Sequence, residues 1–368
     1  QDTWAKDPRY ADLIVSHAGP VAAGLLPGDR LVAIDGKHPF DWAQSLIDFD
    51  YTYRVASDSD VFAELAERLG GPSWAGAALI ARYATTFTVI RCDAATDSCS
   101  DTPETILVST LSNDGTGADV ACDNRPFYHL EMEKPPDETT HYIFGSFFRG
   151  PIKNTTPEEA IFGMVWDTLY GGGDPNGHVN GNILTAIDEW KQSARGVILD
   201  HRAGNGGTLD ASEYVTTLVR APETIAVVRM PMSIGGFDGP TDAAEGMAIF
   251  EAHKSTSGFD VGADDHDPLL PVALLLHRDV SASDFMPFGM KGAPNTRLFG
   301  PHATAGGFST FINFEYYNGI AYQIASGETI SWEGEGLIGH GVEPDEIVLP
   351  RQSDLLAGKD TIHEAALA

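Results

Sequence analysis

The centre of the chain reads Arg195-Gly-Val-Ile-Leu-Asp-His-Arg-Ala-Gly-Asn-Gly-Gly207, an apolar run that passes into a glycine-rich turn. A short apolar run bounded by glycines is typical of a buried strand, here over 197–200. Glycines tolerate positive φ and let the backbone approach a ligand, so this turn can present bare N–H groups to an anion. An ordinary strand-to-helix connection explains the glycines as well. A P-loop is excluded because no Gly-Lys-Ser/Thr follows.

A second apolar strand ends at a serine, in the segment Pro271-Val-Ala-Leu-Leu-Leu-His-Arg-Asp-Val-Ser-Ala-Ser-Asp-Phe285. A serine beside a glycine turn supplies what acyl transfer needs, a nucleophile and an oxyanion hole. Ser281 is the candidate nucleophile, and the N–H of Ala282 could complete an oxyanion hole with the turn Gly206-Gly207. The alternative is a helix N-cap, because Ser281 and Asp284 have capping-box spacing. Ser283 could cap equally well.

Length and charge limit the possible classes of protein. The 368 residues exceed what one compact core usually holds, so we expect about two or three domains. The balance of 23 Lys+Arg against 53 Asp+Glu gives a net charge of −30, which repels nucleic acid and anionic membrane surfaces. No apolar run approaches the roughly 18–20 residues of a membrane span. We expect neither a nucleic-acid partner nor a membrane span.

The cysteines indicate a disulfide and argue against a metal site. Cys92 and Cys99 flank a polar turn between two strand-like runs, so a disulfide closing that hairpin, and an oxidising compartment, are expected. Two free thiols are the alternative. Paired CxxC units and HExxH are missing, so we expect no zinc site. The acidic run 260–267 lacks EF-hand spacing and reads as a solvated loop, and no cofactor is indicated.

Composition and periodicity divide the chain into three parts. Residues 1–115 form one β-rich module, 116–140 a polar, proline-bearing linker, and 141–368 a larger core with a Gly- and Asp-rich insertion at about 232–267. Within the core, 182–192 and 209–219 have helical periodicity, and 157–170 also fits a helix. The alternation of strands and helices predicts an α/β (α+β) core.

Several motifs in a fixed order resemble the carboxyl-terminal processing (tail-specific) serine proteases. The resemblance covers about residues 140–368 and is closest to the branch of the chlamydial protease-like activity factor. It implies a crotonase-like protease core, and the stretch 22–36 resembles the PDZ-like domain that accompanies such cores. The matching motifs are Gly196–Gly207, Ser281-Ala-Ser-Asp-Phe285, Thr304-Ala-Gly-Gly307, Gly341-Val-Glu-Pro-Asp345 and Leu355-Leu-Ala-Gly-Lys-Asp360.

The resemblance implies a role for the residues at the serine. It makes Ser281 the nucleophile, with Ser283 as a spare, and it makes the glycine turn and Ala282 the oxyanion donors. Many family members carry a lysine base where this chain has Gly306, so a Ser–Lys dyad at that place is excluded. Lys291 cannot replace it, because ten helical residues at about 1.5 Å each put it roughly 15 Å from Ser281.

The base and its partner stay open. The branch most resembled uses Ser, His and Glu; its glutamate aligns with an apolar place here, and Glu335 is the nearest upstream carboxylate, or else a solvated loop residue. The candidate bases are His17, His302 and His340, each of which could equally be structural, while His201 follows the central strand. The resemblance also allows a base histidine upstream of Gln1, in which case the chain would be a processed fragment.

These observations together predict a secreted or periplasmic serine endopeptidase. It would cleave peptide or protein substrates through an acyl-enzyme on Ser281, with the PDZ-like module holding or gating the peptide. A separate N-terminal piece of the same precursor would be a partner if the base lies upstream. The alternative is a catalytically inactive peptide- or lipophile-binding protein on the same fold, since fold does not decide function.

Overall fold

A computed structural model describes about three fifths of the chain, including Gly204, Gly206, Gly207 and Ser281. Among the described residues, no helix combines the length and apolarity needed to cross a membrane. The expected linker at 116–140 and His17 lie outside the described part. The described residues are 13–15, 25–26, 28–39, 41–42, 45, 84–93, 96, 98–107, 141–142, 145–152, 159–166, 178–202, 204, 206–231, 243–277, 279–309, 311–315, 321–325, 327–351, 353–354, 357 and 359–368.

Strands and helices alternate in the second half of the described chain, as an α/β core requires. The strands are β1 (Leu13–Ile14), β2 (Arg30–Ile34), β3 (Thr86–Ile90), β4 (Cys92–Asp93), β5 (Ser98–Cys99), β6 (Glu104–Leu107), β7 (His141–Tyr142), β8 (Gly145–Pro151), β9 (Ile161–Trp166), β10 (Gly196–Asp200), β11 (Glu223–Pro231), β12 (Lys254–Val261), β13 (Val272–Leu275), β14 (Thr296–Gly300), β15 (Phe311–Glu315), β16 (Ala321–Ala325), β17 (Glu328–Ser331) and β18 (Glu346–Ile347). The helices are α1 (His178–Ser193), α2 (Asp210–Thr216), α3 (Ala243–His253), α4 (Ala282–Met290) and α5 (Thr361–Leu367).

A seven-stranded sheet carries the site, in the order β18-β14-β13-β10-β9-β8-β7. Its strands from β9 to β18 are parallel, and β8 and β7 add antiparallel partners at one edge. Successive residues of β10 face opposite layers: Val197 and Leu199 pack in the main core, whereas Ile198 packs in a second cluster with Ile362 of α5. Both faces of the sheet are therefore covered, as parallel sheets require.

The first described strands form a separate antiparallel sheet in the order β1-β2-β3-β6. Its small core contains Leu31, Trp42 and Phe87. The β4–β5 hairpin pairs Cys92 with Cys99, and a disulfide joins the two residues. Whether this sheet belongs to a PDZ-like domain stays a prediction.

A third sheet, β12-β11-β17, is antiparallel. Its strand β12 lies in the stretch 232–267, where we expected an insertion. Phe259 and Val261 of that strand are buried in the main core beside α4. The end of this stretch therefore contributes to the core of the protein.

The predicted helices have mixed outcomes. Those at 182–192 and 209–219 are confirmed as α1 and α2. The helix expected over 157–170 is wrong, because Ile161–Trp166 is strand β9, paired with both β8 and β10. Met164 and Val165 of this strand are buried, and an apolar run of this length has the same pattern in a buried strand and in a helix.

Candidate active site

Ser281 occupies a strained bend between β13 and α4. Its φ of 63° and ψ of −124° are unusual for a residue with a side chain, and Asp279, two residues earlier, also has positive φ. Such conformations cost about 1–3 kcal/mol each and concentrate at functional sites. The half-buried Ser281 stands directly before α4, but its side chain makes no capping hydrogen bond. The hydroxyl is therefore not committed to the helix.

The glycine turn reaches the same edge of the sheet. Strand β10, which precedes the turn, is parallel to β13, with Asp200 opposite Leu275, so the carboxyl ends of both strands emerge together. A Cβ added to Gly206 would lie 3.0 Å from Ser281 Cβ and 3.5 Å from its Oγ. Gly206 has a φ of 98°, which a glycine adopts without strain. The fold thus brings Ser281 and the turn into contact.

The amide of Gly206 already has an acceptor. Its N–H donates to the Oγ of Ser283 over 2.8 Å. Ser283 is fully buried. Gly207 follows with a φ of 144°, and Ala282 is buried at the start of α4. The oxyanion roles of Gly206, Gly207 and Ala282 stay predictions. In this structure the N–H of Gly206 is hydrogen-bonded to Ser283.

Asp284 holds a third loop against the serine, a role that the sequence analysis missed. Its carboxylate accepts hydrogen bonds from Thr304 Oγ1 (2.5 Å) and from the backbone N–H groups of Gly306 and Gly307 (2.8 Å each). Burial raises the pKa of Asp284 to about 8, although these donors favour the charged form. A Cβ on Gly307 would lie 3.3 Å from Ser281 N. The available signal was an acidic residue three positions after the serine and a downstream Thr-Ala-Gly-Gly turn.

Gly306 has no room for a side chain. Its φ is 75°, and a Cβ there would lie 2.8 Å from the backbone nitrogens of both His340 and Gly341. Thr304 fixes this arrangement, because its Oγ1 accepts from Val342 N (2.9 Å) while it donates to Asp284. A lysine at position 306 would need a different backbone, which fits the absence of that base from the sequence.

Two of the candidate base histidines lie in the described part, and their environments differ. His302 is buried, its Nδ1 lies 2.6 Å from the carbonyl oxygen of Ala303, and burial lowers its pKa to about 4. Its ring packs edge-on against the ring of His277, with the two ring centroids 4.8 Å apart. His340 is exposed, and its backbone adjoins Gly306. His302 would thus be neutral near pH 7, the form a general base requires.

A further histidine, His201, forms a buried pair with Asp279. Its Nδ1 lies 2.5 Å from Asp279 Oδ1, and both side chains are fully buried. Burial raises the pKa of Asp279, partly offset by this hydrogen bond and by the N–H of His277. Because His201 follows β10 and Asp279 precedes Ser281, the pair ties the glycine turn to the serine bend.

Glu335, the candidate carboxylate, is exposed in the turn after β17. Its backbone N–H donates to Ser331 Oγ (3.2 Å), and its carbonyl accepts from Ser331 N (2.8 Å). Its catalytic role stays a prediction.

Comparison with known proteins agrees with this architecture. Residues 174–348 match the model of peptidase family S41. Mature CPAF has a similar fold, with a TM-score of 0.59 and 12% identity over 97% of this chain and 78% of that chain. Mature CPAF complexed with lactacystin gives 0.57 and 13% over 93% and 76%.

A photosystem II D1 C-terminal processing protease gives a TM-score of 0.40 and 16% identity over 94% of this chain and 71% of that chain. No curated protein matches this chain. Over residues 174–348 the chain is thus similar to peptidase family S41, and its fold, with mixed α/β content and a parallel sheet, is similar to that of mature CPAF.

Proposed function

We propose that this chain is a serine endopeptidase with Ser281 as its nucleophile. The proposal is carried by Ser281, which has a strained backbone and a side chain that does not cap α4. This residue contacts the Gly206 turn at the carboxyl edge of the sheet. A nucleophile on a sharp strand-to-helix bend exposes its hydroxyl, as in other serine hydrolases. The S41 match over 174–348 supports the same chemistry.

In the proposed reaction Ser281 Oγ attacks the carbonyl carbon of the scissile peptide bond, and a histidine takes the hydroxyl proton. The electron pair of the C=O bond moves onto oxygen, and backbone N–H groups stabilise the oxyanion. Collapse breaks the C–N bond and the histidine returns the proton to the leaving amine. Water then hydrolyses the acyl-enzyme and regenerates Ser281.

Labelling with a fluorophosphonate tests the nucleophile. We expect the native chain to take one label and the Ser281→Ala variant to take none. Ser193→Ala is the matched control: Ser193 lies exposed on α1, its hydroxyl bonded to Glu189 O (2.8 Å), and labelling should not change. An unlabelled but folded native chain would contradict the proposal, provided that it stays unlabelled with an N-terminal extension of the precursor present.

The base is assigned by comparing histidine variants in the same assay. If His302 or His340 is the base, its Ala variant loses labelling and hydrolysis while the other keeps both. If both variants stay active, the base is another histidine of this chain, such as His17 or His201, or lies in an N-terminal partner piece, as the resemblance allows. Glu335→Gln tests the carboxylate, and an unchanged kcat would remove Glu335 from the mechanism.

We also propose that the N-terminal sheet belongs to a PDZ-like domain that holds the peptide by strand addition. The end strand of the four-stranded sheet, β6, exposes Leu107 to 74%. Strand addition uses backbone N–H groups, and proline lacks one. Proline substitution in a substrate, away from the cleaved bond, should therefore raise KM several-fold. Equal KM values for both peptides would contradict the gating role.

Secretion or periplasmic location is proposed on the disulfide between Cys92 and Cys99. Disulfides persist in oxidising compartments. The test is a thiol count on the denatured chain isolated from its source, which should find one free thiol without reductant and three with it. Three thiols without reductant would contradict an oxidising location.

The alternative, a binding protein without catalysis, is favoured by one observation. A groove of about 480 Å³ opens beside the carboxyl end of α4, with Phe288, Phe308 and Leu337 in its lining and Trp332, 70% exposed, at its side. An inactive carrier would bind an apolar fluorescent probe there and take no fluorophosphonate label. Trp332→Ala should then weaken probe binding.

A further inference from the structure

A hydrogen bond joins the backbone amide of Gly206 to the side chain of Ser283, and this bond indicates a role for Ser283. Ser283 is the second residue of α4 and is fully buried, with its Oγ 2.8 Å from the amide nitrogen of Gly206. The two residues are 77 positions apart in the chain. A buried hydroxyl that accepts from a distant backbone amide fixes the position of that amide.

The geometry of Gly206 shows what this contact controls. The side of Gly206 where a side chain would stand faces Ser281, at 3.0 Å from its Cβ and 3.1 Å from the carbonyl oxygen of Val280. The amide points instead to Ser283. Any shift of this peptide changes the gap between the turn and the Ser281 hydroxyl, where the tetrahedral intermediate must form.

The first turn of α4 therefore binds two loops with adjacent side chains. Ser283 holds the glycine turn, and Asp284 holds Gly306 and Gly307. Ser281 stands immediately before these two anchors. Its surroundings are thus set by side chains of the same helical turn, neither of which needs to touch the substrate.

We propose that Ser283 is a positioning residue, whose hydroxyl holds the Gly206 amide and so sets the distance between the glycine turn and Ser281. This inference rests on the proposed peptidase function. It assigns the Gly206 amide to Ser283, which leaves the backbone N–H groups of Gly207 and Ala282 as the oxyanion donors. Ser283 is accordingly not a second nucleophile.

The test is the Ser283→Ala variant, which removes the acceptor and keeps the helix. We expect kcat to fall about 10- to 100-fold with KM within twofold, because an oxyanion site acts on the transition state. A peptide boronate, which forms a tetrahedral adduct on serine, should lose affinity by a similar factor. The protection of the Gly206 amide against hydrogen exchange should also fall at least tenfold.

Thr216→Val is the matched control. The hydroxyl of Thr216 likewise accepts from the amide of a positive-φ glycine, Gly262, over 2.9 Å, and Thr216 is also buried. It lies on α2, outside the proposed catalytic machinery. The control should show a similar loss of stability and unchanged kcat, KM and boronate affinity.

The outcomes separate this inference from the proposed function. A native chain that takes no fluorophosphonate overturns the proposed function. A labelled native chain with unchanged kcat in Ser283→Ala overturns only the positioning role, as does an equal fall of kcat in Thr216→Val. If Ser283→Ala does not fold, exchange in the native chain decides: fast exchange of the Gly206 amide overturns the inference, and slow exchange supports it.

Discussion

Gly206 faces Ser281 across the carboxyl edge of the sheet so closely that a methyl group on Gly206 would lie 3.0 Å from Ser281 Cβ. Two strand ends that are far apart in the chain meet there, because β10 and β13 are parallel neighbours. The contact connects a strained serine with a turn that only glycine can form at this distance. The local chemistry at Ser281 therefore depends on the absence of a side chain at position 206.

Gly206→Ala should abolish fluorophosphonate labelling, whereas its loss of stability should resemble that of a control glycine. The new Cβ meets Ser281 Cβ and Val280 O, so the bend must move. Gly334→Ala is the control, because Gly334 has a similar φ of 91° and nothing within 4 Å of an added Cβ. Both variants should lose about 1–2 kcal/mol from the backbone alone, measured by urea unfolding. Normal labelling of Gly206→Ala would refute the importance of the contact.

Gly306→Ala should destabilise the protein more than Gly292→Ala does. The two glycines have φ values of 75° and 74°, but an added Cβ meets backbone atoms at 2.8 Å only at position 306. We expect a loss of about 2–4 kcal/mol at 306 and about 1–2 kcal/mol at 292, from urea unfolding. Equal losses would mean that the turn can relax away from His340.

The Asp284 carboxyl should make stability fall as the pH rises. Its pKa is raised from 3.8 to about 8, so the folded chain holds this proton more tightly than the unfolded chain. The contribution is complete below about pH 3.8 and is lost progressively as the pH rises through about 8. Asp284→Asn cannot titrate, so its unfolding midpoint should change less than that of the native chain between pH 5 and pH 9. Parallel curves for the two proteins would contradict the shift.

Arg202→Met should be among the most destabilising single changes. The buried Arg202 guanidinium binds Asp200 and Asp360 at 2.6 Å each, and Asp360 caps α5 by accepting from the N–H groups of Ile362 and His363. Removing the cation leaves two carboxylates with little exposure, at a cost of about 3–5 kcal/mol.

The control is Arg297→Ala, where a 66% exposed arginine lies 3.6 Å from Glu346 and the expected loss is at most about 1 kcal/mol. Thermal unfolding compares the two variants. A small loss for Arg202→Met would mean that the C-terminal helix is held by its apolar contacts, such as Ile362, rather than by the ion pairs.

Much of the secondary structure of the core was predictable because it depends on local sequence patterns. The helices at 182–192 and 209–219 follow from their helical periodicity, and the strands at 197–200 and 272–275 lie in short apolar runs that contain or follow a turn-forming glycine or proline. Strand β9 was missed because a six-residue apolar run has no period that separates a buried strand from a helix. A serine that follows one apolar run and glycines that follow another indicated the candidate site from their order in the sequence.

The sequence by itself indicated most helices and strands of the core, although not β9, because local patterns depend on neighbours along the chain. It also determined the net charge of −30 and the residues available for chemistry. Only the tertiary structure decided which groups meet. It directs the Gly206 amide to Ser283, three donors to Asp284, and Arg202 to Asp360. These partners are distant in the chain. Their pairing depends on the direction and burial of side chains, which are set only when the chain folds and water is excluded.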